Sequence, residues 1–426
     1  MSIEINNTAE RVLAQMLDIG FEHAQVSVTI SEQDELNIMH NEPSLLRSTE
    51  DYALNLTGIV DARKAVMALT DLSPAAIDDG IQNLFNRARL VPQDDSNAVS
   101  AGQKGHFEQG PKKCDIDLLT LKVEELINFR SSETPKMQID EGVALHRLAR
   151  ECVMTSGGSM LTSATGSYQL QVFGAATDAN KTSSFNYTGG TTNDLSESHA
   201  SEYFGIGEMM AETERQIETK PISGNFTGDI ILAPTAVSDL LGWLLGQVRD
   251  FSLIADVSLY KDRVGDQIAS KLFSVHSCFD GPGHAPYSTD AFAVAPLTFI
   301  EAGTLNYLLP SLYGSLKTGI KHTPNSSGWS IEAGESSRAD LISGIDRGAM
   351  VNRLSMGSPG PSGDFSGVIK NSFIIEDGNL GQALSETMIA GNMASMLGNI
   401  VAISTEHLDR GGQDFPWIRV ANLNFS

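Results

Sequence analysis

His276, Cys278, Asp280 and His284 put four metal-capable side chains within nine residues, around the turn-forming Asp280-Gly281-Pro282-Gly283. Their spacing matches no zinc pattern with ligand pairs at fixed short intervals, so a polar loop is expected, with His276, Cys278 and His284 as candidate ligands. A zinc-hydrolase helix of the HExxH or HExxxH kind sets two imidazoles about a turn apart, with a glutamate beside them to act on bound water. No such pair occurs in the chain. The run from His146 to Glu151 (HRLARE) offers one imidazole and no second ligand, and it reads as a solvated helix face.

Other chemistries fare no better. There is no GxSxG elbow, no cysteine in a recognisable protease context, and neither GxxxxGK[ST] nor GxGxxG after a strand. Gly357 to Gly363 (GSPGPSG) is glycine-rich but has no lysine, and its two prolines remove amide donors, so a surface turn is expected. The carboxylate pairs Asp78/Asp79 and Glu124/Glu125 are adjacent in sequence and do not share a helix face. No catalytic residue is assigned from motifs alone.

The elements that must carry these residues follow from periodicity. Val12, Leu13, Met16 and Leu17 recur at helical spacing before Gly20, while Ala24–Ile30 and Tyr52–Val60 alternate as half-buried strands do. Ser73 and Pro74 open a helix to about Arg89, with Ile77, Ile81, Leu84, Phe85 and Ala88 in one stripe. A loop is expected over 91–111, then a helix over Leu118–Phe129 and another from Asp140 carrying Val143, Leu145, Leu148 and Ala149 toward Cys152. Residues 153–190 read as short strands, among them Tyr168–Phe173, and Ser196–Ile217 as a polar-faced helix. Lys220–Asp229 reads as a turn-rich boundary. Leu240, Leu241, Leu244, Leu245 and Val248 then share one helical face, read as core in preference to a subunit contact. Strands follow, such as Ala291–Ile300 and Phe373–Ile375, between glycine-rich turns. The order predicts an α+β protein, with a mixed N-terminal domain over 1–219 and a β-rich C-terminal domain over 220–426.

Composition narrows the partners. The 426 residues hold 29 Lys plus Arg against 53 Asp plus Glu, a net charge of −24, which disfavours nucleic acid and anionic membrane surfaces as main ligands. Three widely spaced cysteines without a CxxC pair, and an N-terminus without a basic, then apolar, leader, read as a cytoplasmic protein without a signal peptide. Ile230–Val248 is broken by Pro234, Ser238 and Asp239, so no membrane span is expected.

The stretch from Leu341 to Ser404 carries Arg347-Gly348, Ser362-Gly363-Asp364-Phe365-Ser366, Ile375-Glu376-Asp377-Gly378, Ile389-Ala390-Gly391-Asn392 and Asn399-Ile400-Val401-Ala402-Ile403 in order. This succession resembles the TldD/TldE (PmbA) metallopeptidase family, in which the first element is a helix end and the third a hairpin. Thr70-Asp71-Leu72-Ser73 and Ile231-Leu232-Ala233-Pro234 also fit, and the likeness is weakest between Cys114 and Thr219. The resemblance implies a cytosolic two-subunit peptidase, whose TldD-like chain supplies zinc through HExxxH and a later cysteine while the TldE-like chain completes an enclosed cleft. In an ungapped register the HExxxH positions fall on Gly242, Trp243 and Gln247, and no cysteine follows Cys278. The chain therefore groups with TldE-like subunits. The resemblance then implies no cofactor here, zinc in a TldD-like partner, and unfolded or leader peptides as substrates of the pair. The alternatives are a peptide-binding scaffold without proteolysis, or a self-sufficient hydrolase using His276, Cys278 and His284.

Overall fold

The computed structural model describes residues 5–325, 328–385 and 387–426. Two sheets organise it. The first contains β1 (His23–Met39), β2 (Glu42–Val60), β3 (Arg63–Leu69), β4 (Lys104–Gln109), β5 (Met137–Thr155), β6 (Met160–Asp178), the short β7 (Lys181–Thr182) and β8 (Asn186–Thr192). Its order is β3-β2-β1-β5-β6-β4, with β7 and β8 also paired to β6.

Four helices cover one face of this sheet: α1 (Ile5–Ile19), α2 (Pro74–Ala88), α3 (Ile116–Glu133) and α4 (Ile206–Arg215). Ser73 Oγ accepts the Ala76 amide and Pro74 occupies the first turn of α2, where its missing N–H costs little. Asp115 caps α3 by accepting the Leu118 amide at 3.0 Å. Val12, Met16 and Leu84 of α1 and α2 pack on Val26 and Leu54 of the sheet in one cluster, and Leu119, Leu126 and Met210 of α3 and α4 on Ala144 and Leu170 in another.

The region expected as a helix from Asp140 is instead the middle of β5. The helical signal arises because β5 is covered on both faces. Ala144, His146, Leu148 and Cys152 are buried in one alternation while Leu145 and Val153 are buried in the other, which erases the two-residue period. Residues 153–190, expected as several short strands, hold the end of β5, the long β6, the two-residue β7 and most of β8, and the 91–111 loop contains β4. Within 196–217 regular α-helix covers only Ile206–Arg215, after a 3-10 turn at Tyr203–Gly205.

The second, 14-stranded sheet begins with Thr219–Lys220 and is centred on Phe226–Leu232, which pairs antiparallel with Gln413–Phe425 and parallel with Arg347–Val351. Helix α5 (Pro234–Gln247) follows Phe226–Leu232 directly and packs over the sheet. Leu240, Leu241, Leu244, Leu245 and Val248 are all buried in the largest core, as their spacing predicts. Within Ala291–Ile300 only the end, in Thr298–Glu301, is strand, and within Lys220–Asp229 a strand already begins at Phe226. Arg347-Gly348 opens a strand and does not end a helix, because the helix Arg338–Ser343 stops earlier. Ile375 and Glu376 do close a hairpin with Asn379 and Leu380. The α+β class holds. Among the described residues no helix is long and apolar enough to cross a membrane.

Candidate functional site

Two of the C-terminal motifs, Ser362–Ser366 and Ile389–Asn392, meet near the end of α5. Trp243 Nε1 donates to the Gly360 carbonyl and Gln247 Nε2 to the Pro361 carbonyl, each at 3.2 Å, while Gln247 Oε1 accepts the Leu259 amide at 3.0 Å. The same turn continues into Ser362 and Asp364, whose carbonyl and carboxylate both accept from Asn392 Nδ2 at 2.8 Å. Asn392 Oδ1 in turn caps the helix Met393–Gly398 by accepting the Ser395 amide. The glycine- and proline-rich segment is thus the hinge plate on which α5 and the Asn392 cap are fixed.

This arrangement does not suit a zinc ion at the HExxxH register. Gly242 has no side chain, the indole N–H of Trp243 is a donor only, and both polar atoms of the buried Gln247 are already bonded to backbone.

His276, Cys278 and His284 are neighbours without converging. His276 sits on the strand Val275–Ser277 with Nδ1 at 3.2 Å from Thr298 Oγ1. His284 Nδ1 donates to the backbone carbonyl of Cys278 at 2.8 Å, and its ring is packed against Gly281, Gly328 and Gly412. Burial pushes the Cys278 thiol up. Their donor atoms do not gather as a group within 4.8 Å, and so the trio is not assembled as a ligand set.

Where the two sheets meet, a cleft runs past Arg410, whose side chain lines three cavities. One of about 530 Å³ is bounded by Glu141, Gln171, Phe173 and Tyr187, and one of about 310 Å³ by Gln169, Thr191, His284 and Gln413. A third, of about 60 Å³, lies against Glu208, Glu212, Arg338 and Asn352. Arg410 Nη2 donates to Thr235 Oγ1 at 2.7 Å, but its buried Nε has no hydrogen-bond partner. Its backbone carbonyl accepts the Thr191 amide at 3.1 Å, joining the turn at 410–412 to β8. Burial, then the neighbouring Glu208, pushes the Glu212 carboxyl up to about 7, although Arg338 lies 3.5 Å away and Asn352 donates to it. A free cationic donor and a protonatable acid therefore flank a groove whose wall is the strand β8.

Sequence reasoning missed this cleft, because Arg410, Glu212 and Tyr187 come from separate segments with no shared motif. It also missed the metal-capable group that does converge among the described residues, Asp34, Cys114 and His146. His146, expected on a solvated helix face, is a buried strand residue, 3% exposed.

Residues 224–426 match the family described as PmbA/TldA metallopeptidase C-terminal domain. Over 415 residues the chain is 22% identical to the metalloprotease PmbA of Escherichia coli O157:H7, covering 90% of this chain and 87% of that protein. Over 423 residues it is 19% identical to the metalloprotease PmbA homolog of Haemophilus influenzae, with the same two shares. Its fold matches the crystal structure of TldE from Thermococcus kodakarensis with a TM-score of 0.81 and 19% identity, covering 98% of this chain and 100% of that one. The motifs at 362–366 and 389–392 that meet at α5 agree with these matches: residues 224–426 are a domain of the PmbA/TldA metallopeptidase C-terminal type, and the chain as a whole is similar to PmbA in sequence and to TldE in fold.

Proposed function

We propose that this chain is the TldE-like, non-catalytic subunit of a cytoplasmic two-chain zinc metallopeptidase, and that a TldD-like partner carries the catalytic metal. One observation carries the proposal. In the HExxxH register α5 bears Gly242, Trp243 and Gln247, and the last two are used to hold backbone carbonyls instead of a metal. The chain's own contribution is to the substrate chamber. An extended peptide laid along the inter-sheet cleft passes β8 and Arg410, which border it together, and the guanidinium there suits a carboxylate of an unfolded or leader peptide.

The test is to assay peptide cleavage by this chain alone, by an HExxxH-bearing partner alone, and by the two mixed. Cleavage is expected only in the mixture, and to disappear when the glutamate of the partner's motif becomes glutamine. Cleavage by this chain alone would overturn the proposal, and a mixture that copurifies without cleaving would favour a scaffold.

A further inference from the structure

The strand register sets a polar row across the helix-covered face of the first sheet. Ser48 on β2 faces Asp34 on β1, Asp34 faces His146 on β5, and His146 faces Tyr168 on β6. Cys114, from the segment entering α3, closes on this row, so that one donor atom each of Asp34, Cys114 and His146 lies within 4.8 Å of the others. Three donors of three kinds are brought together from sites 80 and 32 residues apart. None of the three lines the cleft at Arg410.

Each donor is held by a neighbour that leaves a lone pair free. His146 Nε2 lies 3.0 Å from the Pro111 carbonyl, which can only accept; Nε2 therefore carries the proton and Nδ1 is the nitrogen open to a cation. Asp34 Oδ1 accepts from Ser48 Oγ, leaving Oδ2. Asp115, next to Cys114, is spent on capping α3, and its amide is held at 3.1 Å by Tyr168 Oη, which fixes where the cysteine sits. Gly166 lets this happen: a Cβ there would stand 1.7 Å from the Pro111 carbonyl, so only glycine lets the 110–115 segment lie on the sheet.

A cysteine nucleophile would need the imidazole between thiol and acid, with the acid orienting the ring. Here the Cys114 thiol meets the Asp34 carboxylate directly, and Nε2 of the ring is bonded to a carbonyl. Carboxylate, thiolate and neutral imidazole together carry two negative charges, which a divalent ion balances. Mixed O, S and N donors suit zinc, whose tetrahedral shell needs donors roughly 3.3–3.8 Å apart and here keeps a fourth position for water. Cys114 and Asp34 are only partly buried, so both the ion and that water have access.

We propose that Asp34, Cys114 and His146 form a zinc site that staples the segment before α3 to β1 and β5, separate from the α5 register. The site stands whether or not this chain is the non-catalytic subunit.

The test uses the full chain, stripped with a chelator under reducing conditions and titrated with Co²⁺, then Zn²⁺. One Co²⁺ per chain is expected, with the near-ultraviolet charge-transfer absorption of a cobalt thiolate that Zn²⁺ then abolishes. Cys114→Ser should lose that absorption, and Asp34→Asn should keep it while binding at least about tenfold more weakly. Zn²⁺ should raise the melting midpoint of the parent chain but not of Cys114→Ser. Circular dichroism confirms that both variants, at partly exposed positions, are folded. No stoichiometric binding by the parent chain, variants that bind as the parent does, or an absorption lost instead in Cys278→Ser would each overturn the site.

Discussion

Glu212 shows how one side chain can set a pH dependence. Its carboxyl is confined beside Glu208 with Arg338 at 3.5 Å, and burial holds it protonated up to about 7 where an unfolded chain would ionise it near 4.3. The folded state then binds a proton that the unfolded state has released, so stability is highest at the acid end of this window and falls as pH rises from about 4.5 to about 7. The contribution is on the order of 3 kcal/mol. Glu212→Gln is expected to flatten the slope in that window, read from denaturant midpoints across pH. Parallel slopes for parent and variant would show that the titration lies elsewhere. Nothing in Glu208-x-x-x-Glu212 announces this in sequence, because two glutamates one turn apart on a polar-looking helix are ordinarily solvated. The cause is tertiary: Arg338, Asn352 and Trp417, from a helix, a turn and a strand of the second half of the chain, line the same cavity.

At the scale of elements, the helices with a cap and an unbroken stripe were legible. Ser73-Pro74 and the Leu240 to Val248 face fold as their spacing predicts: the first helix has one buried side, and α5 buries its leucine face in the largest core. Strand β5 was not, for the reason its burial gives: layers on both sides make each residue apolar or partnered, and chance spacing of Val143, Leu145, Leu148 and Ala149 then imitates a helix. That error hid the site chemistry, since His146 could be linked to Asp34 only through strand register. The tie between α5 and the Gly357–Gly363 turn is equally hidden, because more than 100 residues separate the two pieces. Gln247→Ala removes a donor to Pro361 and an acceptor for Leu259, and should cost about 1–3 kcal/mol in chemical denaturation without altering bound metal. A loss of metal in that variant would argue for a zinc role that α5 is here denied.

Over the whole molecule, polar clasps join the two halves of the chain beside an apolar cluster of Val153, Leu161, Tyr287 and Ala291. Asp94 accepts from Tyr313 and Lys317 at 2.8 Å, Tyr287 bridges Ser163 and Glu151, and the turn at 410–412 closes on β8. Gly411 has φ of 84°, and a Cβ there would lie 2.1 Å from the Thr191 carbonyl, so Gly411→Ala must push the turn off β8. A loss of about 1–3 kcal/mol is expected, with faster hydrogen exchange at the Thr191 amide. Unchanged exchange would mean that this clasp does not hold the cleft. Sequence alone determined the α+β class, the absence of an HExxxH helix and, through five ordered motifs, the family resemblance. These are local properties, written in periodicity, in caps and in short strings whose backbone needs are met by near neighbours. Only the tertiary structure decided that the glycine-proline turn clamps α5, that Arg410 sits at the meeting of three cavities, and that Asp34, Cys114 and His146 stand together. Each of these depends on strand register and on the docking of one sheet against the other, and a residue's type and spacing carry no record of which distant strand it will face.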